Sequence, residues 1–347
     1  MNEKGGMKNM ELFAYDYAKI SDFARAFQNA SDLTALWWDD EKQSVFNLWC
    51  MTVGKERPRA SDFDRFRALC EMMPMLVGHP VQRHCADFLK QYFQCEIPMD
   101  EAHCDEIWRM TADALLLQPK RAVDLFDEPI GLLWESEELP HGLPNHMQPI
   151  LPAERLMNLH APDWKAWCRI ADAELDAFAA CGCNRAVVRL HDDFHFEAPN
   201  LYRVEQILQL PNKKIAKSDL LLTQVVRYLS EACAARHWML QLEIGDCAID
   251  AAILLSYVED TVGLPTLLWS TPSARTRDKM LAFASRERKN PILPILCLAD
   301  YPSDRELADA LTAYAARYPI GMLSYATGTD LSNVASERQR LLTMIEK

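Results

Sequence analysis

Short apolar runs alternate with amphipathic stretches from about residue 120 onward, and this alternation constrains the fold more than any other feature. The apolar runs have the length and composition of buried parallel strands. They cover residues 130–134, 186–190, 238–244, 266–269, 292–298 and 320–324. The stretches between them predict helices over residues 164–180, 218–236, 273–286, 304–317 and 332–346. Such alternation favours a parallel sheet wrapped by helices, with a further strand near residues 12–17 to open a barrel.

Residues 31–118 break this rhythm. Their patterns predict helices over residues 63–72, 82–93 and 101–116, separated by loops at Met73-Pro74 and Ile97-Pro98, with no convincing strand. We therefore expect one domain over residues 1–347 with a helical insertion, residues 31–118, after the first strand.

Composition and charge limit the class of protein and its partners. Hydrophobic residues make up 49% of the 347 residues and charged residues 25%, which is an ordinary globular balance. The net charge of −13 and the lack of a basic cluster argue against a nucleic-acid partner. No stretch has the length of a signal peptide core or a membrane span. We expect a cytoplasmic protein with small-molecule or protein partners and no membrane association.

Eleven scattered cysteines indicate reduced, mostly buried thiols rather than a disulfide framework. Cys181 and Cys183 are the only closely spaced pair, and no second pair follows at zinc-finger distance. Burial at a helix end explains this pair better than a metal site does.

Several stretches, in order along the chain, resemble the uronate isomerase family. The run VGHP at residues 77–80 precedes a helix that ends in Tyr92-Phe93, like that family's GNPL turn and following helix. WMLQLEIG at residues 238–245 is similar to the strand WVMQLHIG, and GML at residues 321–323 to the start of GML-TDSRS. The likeness is collinear from about residue 12 to residue 345. It implies a (β/α)₈ TIM barrel with a helical insertion after strand 1.

The resemblance also implies a chemistry. The family consists of metal-assisted barrel enzymes, related to amidohydrolases, that interconvert glucuronate with fructuronate and galacturonate with tagaturonate. This aldose–ketose isomerisation needs a base and a group that stabilises the enediolate oxygens. In such barrels, residues at the carboxyl ends of the strands supply both.

The positions that match the family's functional residues carry other amino acids here. Tyr17 and Lys19 stand where the first strand has two metal-binding histidines, and Glu243 replaces the histidine of the MQLHIG strand. Tyr325 falls at or near the metal-binding aspartate that acts as a base, and Pro152 falls at the arginine that holds the sugar carboxylate. Because these positions are replaced, we expect the chain to bind no metal and no cofactor.

Two interpretations of the substituted positions are open. A protonated lysine has only donors and cannot bind a metal, but Lys19 can supply positive charge and pair with Glu243. We favour a salt bridge that fills an inactive site. The alternative is a metal-free constellation of Tyr17, Lys19 and Glu243 that performs acid–base chemistry.

A polar cluster without a clear family counterpart follows the apolar run 186–190. It contains His191, Asp192, Asp193 and His195, whose imidazoles and carboxylates are ligands that suit a divalent cation. Its position after a strand places it at the catalytic face of a barrel. The other interpretation, which we favour, is a solvated loop whose side chains cap the following helix.

Three functions follow from these residues, and whether the chain is an enzyme is left open. The first is a divergent family member without the metal-dependent activity, either a sugar-acid binder or an inactive paralogue. The second is an active isomerase or hydrolase with a remodelled site that uses Glu243 and the cluster from His191 to His195. The third is a structural subunit that oligomerises with an active homologue; a homo-oligomer is open as well.

Overall fold

The computed structural model describes residues 17–19, 27–52, 60–125, 130–210, 218–286, 288, 290–318, 324–326 and 333–345. Eight strands form one sheet in chain order, and the registers from the second strand to the eighth are parallel. The strands are β1 (Tyr17–Lys19), β2 (Ile130–Leu133), β3 (Met147–Pro152), β4 (Arg185–Leu190), β5 (Met239–Ile244), β6 (Leu267–Ser270), β7 (Ile292–Cys297) and β8 (Ser324–Ala326).

Helices lie in the intervals between consecutive strands, except that residues 134–146, between β2 and β3, form no helix. The helices between β1 and β2 are α1 (Leu33–Trp37), α2 (Asp40–Thr52), α3 (Asp62–Met72), α4 (Pro80–Phe93) and α5 (Cys104–Leu117). Those that follow are α6 (Ala153–Met157), α7 (Trp164–Ala180), α8 (Leu201–Leu208), α9 (Asp219–Arg236), α10 (Ala248–Thr261), α11 (Ala274–Ala284), α12 (Asp304–Ala315) and α13 (Val334–Ile345). In the described part of the chain, no helix combines the length and apolar character that a membrane span requires.

The parallel barrel with a helical insertion after β1 confirms the predicted fold class. The sequence pattern nevertheless missed β3. Pro149 and Pro152 lie within this strand, and proline, which lacks the backbone N–H, argues against a strand in a sheet interior. The pattern also missed α10, a helix with apolar side chains on most of its surface.

The interior of the sheet is packed by one side chain from each of six strands. These side chains are Leu133, Ile150, Val187, Leu268, Ile295 and Ala326. Because successive residues of a strand point to opposite faces, the residues two positions further along each strand share this interior face. The same alternation therefore determines which side chains reach the carboxyl-terminal mouth of the barrel.

The chain divides into two compact units. The barrel unit comprises residues 1–17 and 129–328, and the helical unit comprises residues 18–128 and 329–347. The helical unit thus combines the insertion with the C-terminal helix α13. The predicted domain limits, a single domain over residues 1–347 with the insertion at 31–118, stay a prediction.

Aromatic side chains connect several helices in the core of the helical unit. Trp37 is buried against Phe88, with ring centroids 5.3 Å apart, and against Phe66 at 6.2 Å. Phe66 also contacts Trp108 at 5.4 Å. These rings join α1, α3, α4 and α5, so the insertion has a hydrophobic core of its own.

Buried charges tie α13 into the helical unit. Glu337 accepts from Arg340 Nη1 at 3.1 Å, pairs with Arg83, and lies 2.7 Å from His84 Nε2 through its Oε1. Burial alone would raise the pKa of Glu337, but the hydrogen bond with His84 and the charges of Arg83 and Arg340 lower it to about 2. The carboxylate is therefore charged at any pH near neutrality.

We predict that Gly245→Ala destabilises the barrel unit by about 1–3 kcal/mol, because the added methyl group has no space against the neighbouring backbone. A Cβ on Gly245 would lie 2.8 Å from the backbone nitrogen of Asp192 and 3.0 Å from the carbonyl carbon of His191. Urea denaturation measures the effect. Adding Asp192→Ala should not restore stability, because the clashing backbone atoms stay in place; full recovery in the double variant would contradict this explanation.

Glu337 predicts an acid-sensitive helical unit. A carboxyl group whose pKa falls from near 4.5 to about 2 on folding adds stability that is complete above pH 4.5 and is lost as the pH falls toward 2. The contribution is at most about 3 kcal/mol. We expect Glu337→Gln to lower the unfolding free energy at pH 7 and to flatten its decline from pH 5 to pH 3. The exposed Glu101→Gln is the control, and equal pH profiles for wild type and Glu337→Gln would contradict the prediction.

Candidate functional site at the barrel mouth

Charged side chains meet at the carboxyl ends of β2 to β5. Arg189 and Glu243 are the penultimate residues of β4 and β5 and occupy the same register position. Both lie on the interior face, because Val187, two residues before Arg189, packs in the interior of the sheet. Glu135 follows β2, and Glu154 follows β3 at the start of α6. This is the face on which barrel enzymes carry their chemistry.

Arg189 is the centre of this arrangement. Its Nε donates to Glu243 Oε2 at 2.7 Å, and its Nη2 lies 3.5 Å from Glu135 Oε1. The Glu243 side chain is only 20% exposed, whereas those of Arg189 and Glu135 are 37% and 47% exposed. The arrangement holds one cation between two carboxylates, partly shielded from solvent.

The carboxyl group of Glu154 has a raised pKa. The residue as a whole is exposed, but partial burial of its carboxyl group raises this pKa, and the negative charges of Glu243 and Glu135 add to the rise, while the Arg189 guanidinium opposes it. Within the described residues, no basic side chain forms an ion pair with Glu154. The site thus contains a carboxyl group that holds its proton more readily than an ordinary glutamate does.

A cavity of about 550 Å³ opens beside these side chains. Its charged lining consists of Glu135, Glu137, Glu154, Glu174, Arg155 and Arg189. Trp134, Pro152 and Leu159 provide apolar walls. Arg155 is already engaged, because it pairs with Glu174 and donates to the backbone carbonyl of Glu137 at 2.7 Å. The volume falls in the range of about 300–1,000 Å³ that is usual for small-molecule sites.

The structure places the polar cluster after β4 away from this cavity. His191 Nε2 lies 3.1 Å from Asp219 Oδ1, and Asp219 Oδ2 also accepts from the backbone N–H of His195 at 3.2 Å. Asp192 accepts from the backbone N–H of Asp246 at 2.8 Å, and the side chain of Asp193 is 91% exposed. Among the described residues that line the cavity, none belongs to this cluster.

Two aspartates at helix N-termini hold the loop that carries the polar cluster. Asp219 lies in the first turn of α9 and Asp250 in the first turn of α10. Asp250 Oδ1 accepts from the backbone N–H of Phe196 at 2.9 Å, and its Oδ2 lies 3.7 Å from His195 Nδ1. The two aspartates therefore anchor the loop through its backbone and its histidines.

The remaining predicted site residues do not all come together. Tyr325 shares its register position with Leu296, whereas Ile295 and Ala326 pack in the barrel interior. Tyr325 is therefore buried on the opposite face of β8 from the interior. Tyr17 and Lys19 begin and end β1, but their side chains lie outside the described residues.

The described residues do not fit a divalent cation at Glu243. The Arg189 guanidinium already contacts this carboxylate at 2.7 Å, and a metal ion would stand beside a charge of the same sign. In the part of the chain that the structure describes, no three His, Cys, Asp or Glu side chains are grouped so that they could hold a metal. Glu243 is best described as half of an ion pair.

Sequence reasoning singled out none of Glu135, Glu154 and Arg189 as a site residue. The signal for Glu154 was its position directly after a strand, but the prolines of β3 hid that strand. Arg189 could have been found from strand alternation, since it lies two residues after the buried Val187. Glu135 carries the same signal after Leu133.

Two solved structures of uronate isomerases share this fold. The chain is similar to the crystal structure of uronate isomerase from Thermotoga maritima, with a TM-score of 0.75 and 14% identity over 97% of this chain and 88% of that chain. It is also similar to glucuronate isomerase from Caulobacter crescentus, with a TM-score of 0.72 and 12% identity over 96% of this chain and 85% of that chain.

Sequence comparison adds no closer relative. No protein-family model matches the chain, and no curated protein matches it. The resemblance drawn from the sequence is confirmed at the level of the fold, and at 12–14% identity it is the fold that the similarity establishes. The chemistry of the barrel mouth depends on its own residues and does not follow from the fold.

We predict that substitutions of Glu243 and Arg189 shift the pKa of Glu154 in opposite directions. Glu243→Gln should lower this pKa, because it removes a negative charge that favours the protonated carboxyl group. Arg189→Met should raise it, because it removes the positive charge that favours the carboxylate. Carboxyl NMR titration of ¹³C-glutamate-labelled protein measures both shifts, with Glu154→Gln for assignment and Glu231→Gln, an exposed glutamate of α9, as the control. Shifts of the same sign in both variants would contradict the described arrangement.

Proposed function

We propose that this protein is a divergent relative of the uronate isomerases that lacks their metal-dependent isomerase activity and binds a small molecule at the barrel mouth. The observation that carries the proposal is the ion pair between Arg189 Nε and Glu243 Oε2 at 2.7 Å. Glu243 matches a metal-binding histidine in the resemblance, and here a guanidinium neutralises it. The cavity beside the pair supports a binding role.

The chemistry of isomerisation supports the same conclusion. Proton transfer between C2 and C1 needs a base near the substrate and a positive charge on the developing enediolate. Among the described residues, Arg189 is the cation beside Glu243, but Glu243 and Glu135 already pair with it. Pro152 stands at the position that matches the carboxylate-binding arginine. Loss of one electrostatic stabiliser commonly costs about a hundredfold or more in rate, and here several are absent together.

The alternative of an active enzyme that uses Glu243 with the cluster from His191 to His195 has weaker support. The contacts of His191 with Asp219 and of His195 with Asp250 hold both imidazoles outside the cavity lining. The resemblance implies a sugar acid as the substrate of such an enzyme, but the glutamates that line the cavity would repel its carboxylate.

We predict no conversion of D-glucuronate or D-galacturonate above the buffer rate, with or without added zinc or manganese. Elemental analysis should give far less than about one metal ion per chain, because the described residues lack a ligand set. The triple variant Tyr17→His/Lys19→His/Glu243→His should stay inactive, since it restores neither the carboxylate-binding arginine nor the base.

Two outcomes would overturn the proposal. One is turnover of either sugar acid by the unmodified protein that Lys19→Ala or Glu243→Ala abolishes. The other is about one metal ion per chain that is lost on Glu243→Ala. Glu231→Gln, an exposed substitution outside the cavity, serves as the control for preparation and folding.

A further inference from the structure

The described residues that line the barrel-mouth cavity carry an excess of negative charge. Glu135, Glu137, Glu154 and Glu174 line it, against the two arginines Arg155 and Arg189. Each arginine already has a carboxylate partner, Glu174 for Arg155 and Glu243 for Arg189. A cleft lined by one sign of charge repels ligands of that sign. A ligand carboxylate therefore meets repulsion without a free guanidinium, among the described residues, to offset it.

One buried donor in this cavity still lacks an acceptor. Among the described residues, no hydrogen-bond acceptor reaches the buried Nη2 of Arg189, and Glu135 Oε1 lies 3.5 Å from it. Leaving a buried N–H without an acceptor is costly, so such groups usually have a partner in the functional state. An oxygen atom of a ligand or of water can accept from this donor.

The carboxylates around that donor supply acceptors. Glu154 and Glu135 lie close enough to Arg189 to interact electrostatically with its guanidinium. A hydroxyl group both accepts and donates. Adjacent hydroxyls of one molecule can therefore accept from Arg189 and donate to Glu154, and no net charge enters the cavity. The apolar surfaces of Trp134 and Leu159 complete a site for a molecule with a carbon skeleton.

We propose that the cavity binds a neutral polyhydroxylated molecule of hexose size in preference to the corresponding sugar acid. The proposal rests on the binding role proposed above and specifies the class of ligand. Arg189 is the donor to the ligand oxygen, Glu154 and Glu135 accept from its hydroxyls, and the surplus of carboxylates sets the preference for the neutral form.

The test compares matched sugars that differ only at C6. D-Glucose is compared with D-glucuronate, and D-galactose with D-galacturonate, by ligand-observed NMR and calorimetry on the full chain at pH 7.5. We expect at least one neutral sugar to bind, at least about tenfold more tightly than its acid. Added salt should narrow the difference, because it screens the carboxylates.

Two variants test separately the donor of the site, Arg189, and the negative charge of Glu154. Arg189→Met should weaken binding of the neutral sugar at least about tenfold, because it removes the donor. Glu154→Gln should keep an acceptor while it removes a charge, so the ratio of neutral to acidic affinity should fall. The exposed Glu231→Gln should leave both affinities unchanged. Circular dichroism and denaturation midpoints confirm that each variant is folded.

The outcomes distinguish this inference from the proposed function. Equal or tighter binding of the sugar acid without turnover overturns the ligand preference alone. The absence of neutral-sugar binding, or binding that Arg189→Met does not change, overturns it as well. Turnover of the sugar acid overturns the proposed function instead.

Discussion

Arg189 and Glu243 occupy one register position on adjacent parallel strands, and the rest of the barrel mouth is arranged around the contact between them. Neither charge is left alone in a partly buried interior, where an unpaired ion would be costly. The pair brings a cation to the strand position that matches a metal-binding histidine in the family resemblance. Its charge also acts on Glu154 and Glu135, so the electrostatics of the cavity follow from this contact.

The loop after β4 illustrates a different use of polar residues at the same end of the barrel. Asp219 and Asp250, each in the first turn of a helix, accept backbone N–H groups from the loop. Gly245 packs closely on the same loop and leaves no space for a side chain. The imidazoles and carboxylates of this loop are therefore part of the scaffold, and other residues line the cavity.

The sequence indicated the fold well because the periodicity of apolar residues directly reflects which faces are buried. The helix predicted over residues 164–180 is observed as Trp164–Ala180, and its start is fixed by the local N-cap of Asp163, which accepts from Ala166 N at 2.7 Å. The strand Met239–Ile244 was found from its apolar run in the same way. The strand β3 was missed because it contains two prolines, and proline is rare in the interior of a sheet. Pairing with the neighbouring strands β2 and β4 nevertheless holds this segment in the sheet.

By itself the sequence determined the parallel barrel, its helical insertion and the replacement of the family's functional residues, because these depend on local pattern and residue identity. Only the tertiary structure decided which charges meet. Glu135, Glu154, Arg189 and Glu243 lie on four different strand ends, and strand register, which no local pattern encodes, brings them together. The same folding directed His191 to Asp219, 28 residues further along the chain, and away from the cavity.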